Sequence, residues 1–241
     1  QANIKIMSEN LVKQKSDVIL TIATPAAISV ATETTDIPII FTAVTDAVSA
    51  GLVDSNEKPG KNITGTSDMV PIDKQTNLLL SIVPDAKAIG IIYNSSEENS
   101  VIQAKLAKEA IEKKGVKVKE STVTSTNDVQ QVMTALAGEV DGVYIPTDNT
   151  LANTMETVGE IARNKKLPIV TGSAEDVKVG ALATYGLDYE KLGRQTGKLA
   201  VKILKGEAKP AALAVDMPTD LDLVVNEDMA KALGIDPSTI K

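Results

Sequence analysis

The sequence predicts an α/β fold built from two lobes with parallel sheets, and three observations carry that expectation. Apolar runs rich in Val and Ile alternate with stretches of helical period from one end of the chain to the other, the pattern of a doubly wound sheet. Most of these runs are short and apolar on both faces, as parallel strands covered by helices are. About nine such runs exceed the four to six strands that one sheet usually holds, so two sheets are expected.

Taken in order, a helix over 2–13 precedes a strand over 17–22, a helix over 25–33 and a strand over 38–42. A helix over 72–82, a strand over 88–93, a helix over 97–114 and a strand over 116–122 follow. The pattern continues with a helix over 128–137, a strand over 142–145, a helix over 149–164 and strands over 168–170 and 181–185. A helix over 189–205, strands over 212–216 and 221–225 and a helix over 227–233 complete the chain. Caps justify the helix starts: Thr24 before Pro25, a Ser95-to-Glu98 capping box, Asp148 and Asp188. Gly115 and Gly206, just past basic residues, mark two helix ends.

With two sheets the chain must cross between them. The stretches 65–71, 185–188 and 217–220 are the expected crossings. They divide the chain into an N-terminal lobe, 1–68 plus 187–217, and a C-terminal lobe, 69–186 plus 218–241. There is no Gly/Ser-rich tether and no internal repeat, so the crossings read as short hinge strands.

Composition removes several function classes. The 241 residues carry a formal net charge of -7, which leaves no basic face for a phosphate backbone and argues against nucleic acid as a partner. The chain has no His and no Cys, so the usual general base, the thiol nucleophile and most transition-metal ligand sets are missing. No apolar run approaches the roughly 18 residues of a membrane span. No secretory leader opens the sequence, so an exported form is expected to have lost one.

The order of Thr24-Pro25-Ala26-Ala27, Ala43-Val44-Thr45-Asp46, Ala50-Gly51-Leu52-Val53 and Asn62-Ile63-Thr64-Gly65 resembles the family of ABC-transporter substrate-binding proteins, of the type that binds tryptophan and other aromatic amino acids. Tyr93-Asn94-Ser95-Ser96-Glu97 with Asn99, Thr147-Asp148-Asn149-Thr150, and Gly186-Leu187-Asp188-Tyr189 with Leu192-Gly193 extend the likeness over nearly the whole chain. The resemblance implies a type I periplasmic-binding-protein fold of two Rossmann-like or flavodoxin-like lobes, three crossings, and a solute in the interlobe cleft. It implies ABC permease subunits as partners, no cofactor, and an extracytoplasmic place, either as a cell-surface lipoprotein or in the periplasm. It also implies an N-terminal strand-helix-strand ahead of Ala2, missing here, which would leave the strand at 17–22 as an unpaired apolar edge.

In open α/β sheets, ligands sit beyond the carboxyl ends of strands, where helix starts offer free N–H groups. Polar residues gather there: Thr24, then Thr45 and Asp46, Asn94 and Ser95, Thr147 and Asp148, and Gly172 with Ser173. For an amino-acid zwitterion, Thr24, Ser95 and Ser96 suit the carboxylate. Asp148 suits the ammonium as its main contact, with Asp46 and Asp68 as alternatives. Asn99, one turn into its helix, reaches toward the same mouth. Each also has a capping role compatible with binding. Phe41, Tyr144 and Tyr185 are the candidate aromatic walls, with Tyr93 assigned to the core, and tryptophan or phenylalanine is the preferred solute. The alternatives are the ligand-sensing effector domain of a regulator and an enzyme on a related sheet. Against the enzyme, the chain has no Gly-x-Gly-x-x-Gly, phosphate loop or Gly-x-Ser-x-Gly, and no catalytic residue is assigned.

Overall fold

The computed structural model describes residues 2–218 and 221–241. In chain order the first elements are α1 (Ala2–Lys13), β1 (Ile19–Ile22), α2 (Thr24–Ala31), β2 (Ile39–Val44), β3 (Ile63–Ser67), α3 (Ile72–Ile82) and β4 (Ala88–Asn94). Next come α4 (Glu98–Glu112), β5 (Lys117–Val123), α5 (Thr126–Leu136), β6 (Gly142–Ile145), α6 (Asn149–Ala152) and α7 (Met155–Lys165). The last are β7 (Ile169–Thr171), α8 (Ala174–Val179), β8 (Ala183–Gly186), α9 (Tyr189–Leu204), β9 (Asp222–Val225) and α10 (Glu227–Leu233). The chain forms two compact units, Gln1–Met69 with Asp188–Asp220 and Val70–Leu187 with Leu221–Lys241. The crossing expected at 217–220 lies partly outside the described residues.

The first unit holds a parallel sheet in the order β1-β2-β3. Alternation along β2 sends Ile39 and Phe41 into a core with Ala27 and Val30 of α2, and Ile40 into a second core with Leu199 and Ala200 of α9, so both faces of the strand are covered. β3 overlaps the polar stretch 65–71 expected as a crossing, and its polar residues Thr64, Thr66 and Ser67 give no strand signal in the sequence. All three are buried, and each hydroxyl has a partner. Thr64 Oγ1 donates to the Leu213 carbonyl at 2.6 Å, Thr66 Oγ1 pairs with Thr196 Oγ1 at 2.8 Å, and Ser67 Oγ donates to the Thr45 carbonyl at 2.9 Å. Between them Gly65 lies against Phe41, and a Cβ there would stand 2.0 Å from the Phe41 carbonyl oxygen. The strand expected at 212–216 is instead a 3-10 turn, Pro210–Ala212, and one parallel bridge from Thr66 to Asp216. β1 is an edge strand whose Leu20 and Ile22 are 57% and 71% exposed, the apolar edge anticipated from the sequence.

The second unit holds a six-stranded sheet, β5-β4-β6-β7-β8-β9. It is parallel except for β9, which runs antiparallel to β8 and departs from the all-parallel expectation. The helix expected over 149–164 is broken into α6 and α7 at Asn153 and Thr154. α8, unforeseen, starts under a Ser173 side-chain cap. Asp148 and Asp188 cap their helices as expected, and Gly115 and Gly206 adopt φ of +81° and +72°, the left-handed stop that favours glycine. Two caps differ from expectation. Ala23, with φ 71°, precedes α2 and places Thr24 inside its first turn. Glu97 precedes α4 without a side-chain cap, so the Ser95-to-Glu98 box does not form.

α7 packs on α8 through glycine. A Cβ on Gly159 would lie 2.7 Å from Gly180 Cα, and backbone on both sides cannot yield as a flexible side chain would. Gly159→Ala is therefore expected to destabilise the protein by about 2 kcal/mol, the scale of overpacking, in urea unfolding. An unchanged midpoint would show that α8 retreats freely.

Candidate functional site

Polar side chains collect at the carboxyl ends of the strands in each unit, and the structure shows how each is employed. In the first unit β1 ends at Ala23, whose positive φ turns the chain directly into α2. No side chain caps α2, so its first-turn amides lack the acceptor a cap would give. Thr24 is buried there, and its hydroxyl has no hydrogen-bond partner among the described residues. The Thr21 hydroxyl of β1 is equally buried and unpartnered. Sequence reasoning missed it, because a Thr inside an apolar run reads as an ordinary strand residue.

The ends of β2 and β3 meet at Asp68. Thr45 Oγ1 donates to Asp68 Oδ1 at 3.0 Å, and the Tyr189 hydroxyl, from the first turn of α9, donates to Oδ2 at 3.1 Å. Burial raises the Asp68 pKa above the usual carboxylate value, against the two hydroxyl donors that lower it. No Lys or Arg among the described residues forms an ion pair with it. Tyr189 went unassigned from sequence, although it stands in the quoted Gly186-to-Tyr189 motif. Asp46, by contrast, is spent locally: it accepts the amides of Val48 and Ser49 and the Ser49 hydroxyl.

In the second unit the loops after β4 and β6, neighbours in the sheet, are tied together. Asp148 Oδ2 accepts the Asn94 amide at 2.6 Å, and Oδ1 accepts the amides of Thr150 and Leu151, both at 2.9 Å. The carboxylate is buried, and its pKa is raised first by burial and then by the negative charge of Glu97. Its three backbone bonds show that Asp148 caps α6 and ties it to the end of β4, a structural role beside the ammonium contact expected of it from sequence. Asn99 Nδ2 donates to the Thr147 carbonyl at 2.8 Å, while its buried Oδ1 has no partner among the described residues. Gln103 Oε1 accepts the Thr147 amide. Asn94 Oδ1 accepts the Ser96 amide, and Ser95 and Ser96 are exposed at the loop surface.

The aromatic expectations divide. Phe41 and Tyr144 are fully buried and belong to the cores, Tyr144 because its hydroxyl donates to buried Gln75 Oε1 at 2.9 Å. Tyr93, expected in the core, is half-exposed, and its hydroxyl donates to Glu120 Oε1 at 3.3 Å. Tyr185 is half-buried beneath the Lys74 ammonium, 5.9 Å above its ring, and its carbonyl accepts Gln75 Nε2 at 2.8 Å. A cavity of about 750 Å³ lies elsewhere in the first unit, at the amino ends of β2 and β3, between Ile28, Leu52, Ile63 and Pro210. Among the described residues no cluster of three or more acidic side chains could hold a metal ion, and no helix is long and apolar enough to cross a membrane.

Comparison with known proteins identifies the group to which these features belong. A family model described as ABC transporter substrate binding protein matches residues 1–239. The tyrosine-binding protein of Clostridioides difficile is 42% identical over 227 residues, 94% of this chain and 66% of that protein. A Streptococcus pneumonia ABC domain solved in complex with L-Trp is 39% identical with a TM-score of 0.93, covering 99% of this chain and 81% of that one. A ligand-free, open structure of a Clostridium difficile substrate binding protein with adhesive properties is 44% identical with a TM-score of 0.71, covering 98% and 79%. The chain spans just under two thirds of the length of the curated tyrosine-binding relative. With the match over nearly all its residues, the chain belongs to the family of ABC transporter substrate-binding proteins.

Proposed function

We propose that this chain is the solute receptor of an ABC importer and that its solute is an aromatic L-amino acid, captured outside the cytoplasm by a protein held there through a lipid anchor and delivered to the permease subunits. The observation that carries the amino-acid reading is Asp68, a buried carboxylate held by two neutral hydroxyls without a cationic partner among the described residues. Burying such a charge is costly unless it is paired, and an ammonium ion supplies the pair. Each Asp68 oxygen accepts a side-chain hydroxyl, and a carboxylate has lone pairs for about four such bonds. In the same unit, the uncapped start of α2 and the unpartnered Thr24 hydroxyl offer donors to a carboxylate. Taken by itself, the second unit carries its own candidate solute contacts, the exposed hydroxyls of Ser95 and Ser96 and the unpartnered Oδ1 of Asn99. Tyr185, and not Phe41 or Tyr144, is the aromatic surface available to a ring.

The relatives support an aromatic solute: one is named for tyrosine and one was solved with L-Trp. Thermal-shift screening against the twenty amino acids tests the reading, because a solute specific for the native state raises the melting temperature. L-Trp, L-Tyr or L-Phe is expected to give the largest shift. A flat screen, or one led by an acidic or basic amino acid, sinks it. Asp68→Asn keeps the shape and one acceptor oxygen, puts an NH2 group in place of the other, and removes the charge. It is expected to weaken solute binding about tenfold or more in calorimetry, the scale of a charge-assisted hydrogen bond. An unaltered affinity would take the ammonium away from Asp68.

A further inference from the structure

Glu97 is used in a way that its position at the start of α4 does not require. It caps nothing in its own helix. Its buried carboxylate reaches instead to the loop after β6, where Oε2 accepts the Asn149 amide at 3.0 Å and Asn149 Nδ2 at 2.6 Å. Oε1 accepts the Thr150 amide at 3.1 Å and Thr150 Oγ1 at 2.8 Å. Asn94 Nδ2 joins the same group, donating to Thr150 Oγ1 at 2.7 Å and to Glu97 Oε1 at 3.4 Å. The start of α6 is thereby held by two carboxylates, since Asp148 already accepts the amides of Thr150 and Leu151. α6 has four residues, and one cap satisfies a helix start of that size. The second carboxylate brings a like-charge penalty, visible in the raised pKa of Asp148.

We infer that Glu97 is a positioning residue for the solute: its four bonds to the loop after β6 fix the loop that carries Ser95 and Ser96 and the start of α4 with Asn99, so that their polar groups are set before the solute arrives. This inference rests on the functional reading above, in which those residues are contacts. Preorganised polar groups bind more tightly because their ordering is not charged to the binding step. Glutamine in this position keeps one carbonyl oxygen but turns an NH2 group toward amide and side-chain donors, which sets donor against donor. The loop then loses one of its two anchored oxygens without losing volume.

The test is a double-mutant cycle read in two ways, by calorimetry with L-Trp and L-Tyr and by urea unfolding. Glu97→Gln is expected to weaken solute binding about tenfold in the otherwise unchanged protein and much less in a Ser95→Ala, Ser96→Ala background, because coupled residues are non-additive. Its effect on unfolding is expected to be the same in both backgrounds, which separates positioning from general loosening. Should Glu97→Gln fold poorly, Thr150→Val removes one of the four bonds, together with the bond from Asn94 Nδ2, at nearly constant volume and is expected to weaken binding about threefold or more, within the range for one to two hydrogen bonds. Normal affinity in Glu97→Gln or Thr150→Val, or equal losses in both serine backgrounds, overturns the inference while wild-type binding stands. Failure of the wild-type protein to bind either amino acid overturns the functional reading, and the inference with it.

Discussion

Replacing Asp148 by alanine is expected to lower the unfolding free energy by about 3 kcal/mol, measured by urea denaturation, because three backbone donors lose their acceptor together. The amides of Asn94, Thr150 and Leu151 all point at this carboxylate, and the residue is 3% exposed. Water cannot replace the missing acceptor without opening the loop, and an unpaired buried donor costs roughly 1 to 3 kcal/mol. Glu97 retains a hold on the Thr150 amide, which limits the loss. Asp148→Asn is expected to cost less, about 1 to 2 kcal/mol, since its carbonyl oxygen still caps α6 while its NH2 group opposes the Asn94 amide. The order alanine worse than asparagine is the signature of a structural cap. If asparagine instead abolished solute binding at unchanged stability, Asp148 would be a direct ammonium contact after all.

Asp148 shows where sequence reading stops. An Asp at a helix start reads equally as cap and as ligand, and the three amides around Asp148 add the capping role that sequence leaves open. From sequence Asp68 is only an alternative to Asp148 as the ammonium partner. Its burial depends on β3 being a strand, and β3 was illegible because Thr64 and Thr66 find their partners at Leu213 and Thr196, far along the chain. Strands such as β4 and β6 were legible because apolar side chains cover both their faces. Two of the three candidate aromatic walls, Phe41 and Tyr144, are core residues for a related reason: nothing local to Tyr144 reveals that Gln75 waits in the core for its hydroxyl. Family motifs placed the polar loops in order, but the division of labour within them is set by distances between residues separated by tens of positions. Glu97 bonding to Asn149 and Thr150 is the clearest case.

Asp176 adds a pH dependence of opposite sign to the one expected of surface carboxylates. It lies in α8, buried, with Thr171 Oγ1 donating to its Oδ2 at 2.8 Å. Burial pushes its pKa up to about 6, with further increments from the charges of Asp148 and Glu175 and an opposing one from Thr171. Because the folded-state value lies above the unfolded one, near 3.8, the folded chain binds the extra proton between these two pH values. The contribution to stability is therefore full below about pH 4 and is lost as pH rises through about 6. A separation of about two units corresponds to roughly 3 kcal/mol. Asp128, Asp141 and Asp236, whose pKa values are lowered by amide hydrogen bonds, act in the reverse sense, so the test is a difference and not a single profile. Asp176→Asn keeps an acceptor for Thr171 and removes the charge. It is expected to be more stable than wild type by about 2 to 3 kcal/mol at pH 7.5, with the gap closing as pH falls toward 4. Denaturant unfolding of both proteins across that range measures the gap. A constant difference would mean that Asp176 titrates alike in the folded and unfolded chains, and that its neighbours Asp148 and Glu175 do not reach it.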